Sequence, residues 1–256
     1  MAKVYLDPGH GGSDPGAVKY IREEDVNLQM ALACRDYLKA NGVDVKMSRT
    51  TDTGTSLNGL CAAANKWGAD LAVSIHNNAG GGDGFEIYHS INGDKGETLA
   101  KNIEAEVKKI GQNSRGLKTK KGANGDYYGF IRLTDMPAVI CEGVFVDNKK
   151  DAAQADTKAE QKKFGHAYAK GILKTLGIAD NGATGKKETV KKTTNKEYKV
   201  KVTANALNIR AGAGTKHKIT GVITYKGTYT IVETSGKWGK LKSGKGWIHL
   251  DYTKKV

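Results

Sequence analysis

The stretch Val4-Tyr5-Leu6-Asp7-Pro8-Gly9-His10-Gly11-Gly12-Ser13-Asp14-Pro15-Gly16 decides how the chain is read. A short apolar strand runs into a glycine-rich loop, and a histidine stands where the strand ends. Two later segments end in the same manner: Leu71–Ile75 runs into His76, and Ala138–Cys141 runs into Glu142. In open α/β sheets, ligands and chemistry collect beyond the carboxyl ends of the strands. Two histidines and a glutamate in such positions are the parts of a catalytic metal site, provided the fold brings them together.

Working outward, residues 1–178 alternate strands with helices. Strands are expected at Lys3–Leu6, Val43–Met47, Leu71–Ile75, Gly84–Tyr88, Gly129–Leu133 and Ala138–Cys141. A helix is expected over Glu24–Asn41, where Val26, Met30, Ala33 and Tyr37 recur at helical spacing until Gly42. Ser56–Trp67, Lys95–Ile110 and Thr157–Leu176 also read as helices. The fold class is therefore α/β, a twisted, mostly parallel sheet flanked by helices. Residues 179–197 are polar and lysine-rich with no apolar periodicity, and read as a flexible linker. Residues 198–256 change to six short β-type runs separated by glycine turns, which suggests a small all-β barrel.

Composition narrows the class further. Hydrophobic residues make up 38% and charged residues 27%, ordinary values for a soluble chain, and no apolar run approaches a membrane span. Met1-Ala2-Lys3 leads directly into the first strand, so no signal peptide is expected and the chain is expected to be made in the cytoplasm. Cys34, Cys61 and Cys141 form no CxxC pair and read as small buried apolar residues in a reducing compartment. Residues 1–179 carry 24 Lys+Arg against 22 Asp+Glu, whereas 180–256 carry 17 against 5. The basic character thus belongs to the C-terminal part and points to a polyanionic partner.

Four ordered blocks sharpen the reading. Asp7–Ala17 reads DPGHGGSDPGA, Glu23–Leu28 reads EEDVNL, Ala64-Asn65, Ala69-Asp70 and Ser74–Asn78 give AN, AD and SIHNN, and Pro137–Glu142 reads PAVICE. Over residues 2–176 these blocks resemble the zinc-dependent N-acetylmuramoyl-L-alanine amidases of the amidase type 3 family. Leu207–Gly212 (LNIRAG), Trp238–Leu241 (WGKL) and Gly246–Ile248 (GWI) resemble bacterial SH3-like (SH3b) domains. Ala213 stands where a proline is common in those domains. Leu60 stands where the amidases usually carry an arginine.

The amidase resemblance implies a zinc ion held by His10, Glu23 and His76, with the fourth position left to water, as in catalytic zinc sites. It implies Glu142 as the catalytic carboxylate, moving a proton from zinc-activated water to the leaving amine. Each residue also has a plainer reading. His10 could be a turn histidine, and Glu142 a rim residue at the end of its strand. Glu23-Glu24-Asp25 opens a helix, where acids are favoured by the N-terminal dipole whatever the function. The family pattern selects Glu23, and Glu24 remains open. His89, His166, His217 and His249 fall outside the matched motifs and are given structural or surface roles.

The function implied is peptidoglycan hydrolysis at the amide between N-acetylmuramic acid and L-alanine of the stem peptide. A phage or prophage endolysin is the expected source, a bacterial mother-cell autolysin the alternative. The rivals are a zinc endopeptidase of the stem peptide and a non-catalytic protein that binds wall or nucleic acid. In the small domain, Tyr225, Tyr229, Trp238, Trp247 and Tyr252 are candidates for a binding groove, with Trp238 and Trp247 read as barrel core. The +12 of this region suits the anionic polymers of a wall and calls for no nucleic acid partner. The sequence leaves oligomeric state open.

Overall fold

The computed structural model describes residues 1–183, 197–215 and 217–256. The chain divides into two compact units, the described residues up to 183 belonging to the first and those from 197 onward to the second. In the first, β1 (Lys3–Pro8), α1 (Glu23–Ala40), β2 (Asp44–Met47), α2 (Leu57–Trp67), β3 (Leu71–Asn78), β4 (Phe85–Tyr88) and α3 (Asp94–Lys109) alternate. After them come β5 (Ser114–Lys118), the short hairpin β6 (Lys121–Gly122) and β7 (Gly125–Asp126), and α4 (Gly129–Leu133). The unit ends with β8 (Ala138–Phe145), α5 (Lys149–Ala152) and α6 (Lys158–Leu176). The main sheet has six strands in the order β2-β1-β3-β8-β4-β5. All its pairings are parallel except β4 with β8.

Alternation along the strands sets the two faces of the sheet. Val4, Leu6, Val73, Ile75, Val139 and Cys141 point into one core with residues of α1, α3 and α6. Tyr5, Ala72, Ala138 and Ile140 point to the other side, against Leu60, Cys61 and Ala64 of α2 and Phe130 and Ile131 of α4. Ser74, His76 and Glu142 share the parity of this second face. The helices are set by local chemistry. A Thr157–Glu160 capping box opens α6, and Gly177 ends it with φ 68°. Ser56 caps α2 by accepting from Gly59 N at 3.2 Å.

Some expectations are corrected. Gly129–Leu133 is the helix α4, not a strand. Its Phe130 and Ile131 are buried together against the second face, so its apolar run fills a core without joining the ladder. Strands β3 and β8 run past Ile75 and Cys141, because pairing continues through His76↔Glu142 to Asn78↔Phe145. His76 and Glu142 are therefore strand residues. All three cysteines are buried and unpaired.

Residues 184–196, most of the proposed linker, lie outside the described residues. Its first residues stay with the first unit: Tyr37 Oη donates to Asp180 Oδ1 at 2.6 Å, and Asn41 pairs with Asn181 N and Gly182 O at 2.8 and 3.0 Å.

The second unit is all β: β9 (Tyr198–Val202), β10 (Leu207–Arg210), β11 (Ile219–Ile223), β12 (Thr228–Ser235), β13 (Trp238–Leu241), β14 (Trp247–His249) and β15 (Thr253–Lys255). Every strand pairing is antiparallel, in the order β11-β10-β14-β13-β12-β9-β15. Its core consists of Val200, Val202, Leu207, Ile209, Ile223, Ile231, Leu241 and Ile248. Trp238 and Trp247 are not part of it. On β13 and β14 the buried side is taken by Leu241 and Ile248, and the tryptophans are half-buried. Trp238 instead lines a groove of about 400 Å³ with Arg210, His249 and Tyr252. Among the described residues, no helix is long and apolar enough to cross a membrane.

Candidate metal centre and active site

His10 adopts φ 64°, uncommon for a residue with a Cβ. The turn lifts its ring off β1 toward α1, and Nδ1 lies 2.8 Å from Asp14 Oδ2. That contact places the proton on Nδ1 and leaves Nε2 to face Glu23 Oε1 at 3.2 Å. From β3, His76 Nδ1 approaches the same oxygen at 3.1 Å, and the two imidazoles meet edge-on with centroids 4.9 Å apart. Among the described residues, this is the one group of three His, Cys, Asp or Glu side chains whose ligand atoms converge, all within 4.8 Å of one another.

Glu23 is held by backbone and amides. Its Oε2 accepts from Ala17 N at 2.9 Å, and Oε1 accepts from Asn77 N at 3.1 Å. Asn27 donates to Gly9 O at 3.2 Å and accepts from Asn77 Nδ2 at 2.7 Å, tying α1, β3 and the glycine loop together. The glycines make room for this. A Cβ on Gly9 would overlap the His76 ring, and one on Gly16 (φ 64°) would lie 2.7 Å from His10 Cδ2. Glu24 turns the other way, to Arg22, and is not one of the converging group.

Two nitrogens and a carboxylate oxygen suit a divalent zinc-type cation, and the Asp14 carboxylate behind the His10 ring fits the same use. Electrostatics agree. Hydrogen bonding to Glu23, against the opposing effect of burial, raises His10 to about 9. Burial works to lower His76, but Glu23 and the neighbouring Glu142 outweigh it and leave its pKa raised. Burial opposes ionisation of Glu23, yet the hydrogen bonds to His10 and His76 hold its carboxyl well below the usual range. A preformed anionic pole thus draws positive charge to the point where the three side chains meet.

Glu142 sits beside His76 in register across β3 and β8, on the same face. Burial pushes it up to about 7, with Glu23 and Glu86 adding and His76 and His10 opposing. Sequence reading missed Glu86, its register partner on β4. Glu86 is buried, and Oε1 lies 2.5 Å from Arg115 Nε and 3.6 Å from Lys118 Nζ. Asp14, Asn27 and Asn77 were present in the quoted blocks without a role, and only their contacts supply one. On the opposite side of the histidines, a cleft of about 450 Å³ is lined by Gly11, Ser13, Thr55, Leu57 and Leu60.

Two histidines and two glutamates thus gather at one rim of a six-stranded α/β sheet. The sequence profile of the N-acetylmuramoyl-L-alanine amidase family matches residues 4–174, and that of the bacterial SH3 domain matches 205–254. The chain belongs to the N-acetylmuramoyl-L-alanine amidase family. It is 39% identical over 188 residues to the N-acetylmuramoyl-L-alanine amidase CwlM of Bacillus licheniformis, covering 72% of each chain. It is 34% identical over 197 residues to the endolysin of Bacillus phage SPP1, covering 72% of this chain and 70% of that one. The solved catalytic domain of CwlV, an N-acetylmuramoyl-L-alanine amidase from Bacillus (Paenibacillus) polymyxa var. colistinus, superposes with TM-score 0.63 at 30% identity. That superposition covers 70% of this chain and all of that domain.

Proposed function

We propose that the protein hydrolyses the amide between the lactyl group of N-acetylmuramic acid and L-alanine of the peptidoglycan stem peptide, using zinc. His10 Nε2, Glu23 Oε1 and His76 Nδ1 hold the ion, and Glu142 moves the proton. The observation that carries this reading is the meeting of those three ligand atoms one strand from Glu142, on a single face of the sheet. When bound, zinc supplies a Lewis acid that polarises the scissile carbonyl and acidifies water. Asp14 keeps His10 in the tautomer whose Nε2 is a free donor of electrons. Ala17, Asn77 and Asn27 fix Glu23 before the ion arrives. The Glu142 carboxylate takes a proton from the attacking water and gives it to the leaving nitrogen, so the alanine departs as a neutral amine.

The first domain, residues 1–178, carries this chemistry. The second, 198–256, holds the enzyme on its substrate, helped by its surplus of positive charge and by the groove around Trp238 and Tyr252. Similarity to a phage endolysin supports a role in lysing the host wall at release. Mass spectrometry of digested walls, with and without a chelator, is the test. An amidase yields glycan chains free of peptide and peptides with a new L-alanine amino terminus, and zinc restores chelated enzyme. Cleavage within the stem peptide would establish the endopeptidase instead.

A further inference from the structure

Between Glu106 and Asp126 the chain has six cations and no acid, whereas the rest of residues 1–179 carries 18 Lys+Arg against 22 Asp+Glu. Lys108 and Lys109 are spent on Glu104 and Glu106 of α3. The other four, Arg115, Lys118, Lys120 and Lys121, belong to β5 and the hairpin beside the Glu142 face. Lys118 is the register partner of Tyr88, which pairs in turn with Ile140, so Lys118 stands on the same face as Glu142. Arg115 and Lys118 share the single carboxylate of Glu86. Lys120 has no carboxylate partner among the described residues. Its Nζ lies 3.8 Å from the centre of the Tyr127 ring.

The tyrosines join this charge to the active site. Tyr127 packs edge-on against Tyr128 at 5.2 Å, and Tyr128 against Tyr88 at 4.8 Å. Tyr88 Oη donates to Glu86 Oε2 at 3.3 Å. Tyr127 is 51% exposed, an uncovered aromatic at the end of the series. The other side of the centre differs. The cleft between the glycine loop and α2 is lined by small, hydroxyl and apolar side chains, with the acids Asp7 and Asp14 and no lysine or arginine.

We infer that the Tyr88–Tyr128–Tyr127 side, with Lys118 and Lys120, is the subsite for the peptide half of the substrate and recognises a carboxylate next to the L-alanine. This deepens the amidase reading and rests on it. The sugar half is uncharged once its lactyl group is in the amide, so the anion of the substrate is on the peptide. Charge complementarity then sends the peptide toward β5 and leaves the neutral sugar to the hydroxyl-lined cleft. Distances agree. Lys118 lies two strands from Glu142 and, being in line with Ile140, two residues further along, about 12 Å at the usual strand spacing and rise. An extended peptide covers that in about four residues, and side chains on both partners shorten the need.

The test uses two synthetic substrates, N-acetylmuramoyl-L-alanyl peptides whose second residue bears either a free carboxylate or its carboxamide. The full-length zinc-loaded protein should favour the carboxylate in kcat/KM, chiefly through KM. The double variant K118Q/K120Q should bring the ratio of the two substrates toward one, a fall of about five- to tenfold for two partly exposed charges. The K118R/K120R pair should keep it. A ratio unchanged in the glutamine pair overturns the subsite, as does a parent that cleaves both substrates equally. A parent that cleaves neither overturns the amidase reading itself, and shows this before any variant is made.

Discussion

His76 and Glu142 are register partners on the parallel strands β3 and β8, so both side chains leave the sheet on one face, a strand apart. One belongs to the converging ligand group and the other does not. Their substitutions should therefore separate cleanly. His10→Ala and His76→Ala each leave two of three ligands, and we expect both to lose bound zinc and activity together. Metal content per chain by atomic absorption decides it: one zinc retained in both variants sinks the ligand set.

Glu142→Gln should keep the metal and lose turnover. The amide preserves volume but accepts no proton, and general-base contributions are about 10²–10⁴-fold. Lysis at near the parent rate would return Glu142 to a rim residue of no chemical consequence.

The pH profile follows from the same carboxyl. Without metal, Glu142 is pushed up to about 7 by burial. Below its midpoint it holds the proton and cannot accept one, so activity falls as pH falls. A nearby dication favours the ionised form and moves the midpoint lower. The acid limb of kcat/KM in the zinc enzyme is thus expected under pH 7, and the residual activity of Glu142→Gln should lack it. A parent rate flat between about pH 5 and 8 contradicts this assignment.

Gly9 offers a test that replaces no ligand. A Cβ there overlaps the His76 ring, whereas Gly42, at φ 77°, has nothing within 4 Å of its virtual Cβ. Gly9→Ala should weaken zinc affinity by about 10–100-fold, the usual size of effects on ligand orientation. Gly42→Ala should cost only backbone strain, about 1–3 kcal/mol, with zinc affinity intact. Equal affinities in the two variants, measured by competition with a chromophoric chelator, would show that the ring has room to move.

Domain separation needs a particular cut. Asp180, Asn181 and Gly182 are hydrogen-bonded to Tyr37 and Asn41 of the first unit. A chain ending at Ala183 should fold and cleave soluble muropeptides. One ending at Ala179 loses the three bonds to Tyr37 and Asn41, about 1 kcal/mol each, and should melt lower by about 6–12 °C. The shorter enzyme should bind walls more weakly and with less sensitivity to salt, since 17 Lys+Arg against 5 Asp+Glu lie from residue 180 onward. Sedimentation with purified walls across a salt series measures this, and equal binding by the 183-residue chain and the full-length protein would remove the small domain as anchor.

The alternation of elements was legible because it rests on local signals, apolar strands, glycine punctuation and helix starts, whereas the proposed ligands came from the resemblance of the motif blocks. What was not legible depends on partners distant in sequence. Gly129–Leu133 has a strand's composition, but its place against α2 makes it a helix. Trp238 and Trp247 look like core by size, yet strand parity gives the interior to Leu241 and Ile248. The choice between Glu23 and Glu24 turns on how α1 faces β3, since two adjacent acids at a helix start are equivalent by dipole alone. Glu86 has no motif around it, and only the reversed direction of β4 brings it next to Glu142.

Arg49 bears on how the centre meets its metal. Buried behind the glycine loop, it donates to Pro8 O at 2.8 Å and to Gly9 O and Glu24 O at 2.9 Å each. One side chain thereby fixes the exit of β1 to the first turn of α1, using contacts that involve no ion. The receptacle is assembled during folding, so capture of the metal requires little further ordering of the chain. If zinc is the ion, as proposed, its removal and return would be an exchange on a standing fold. On the proposed zinc reading, such an enzyme would pass through metal starvation and resume work on resupply, without a cycle of unfolding between them.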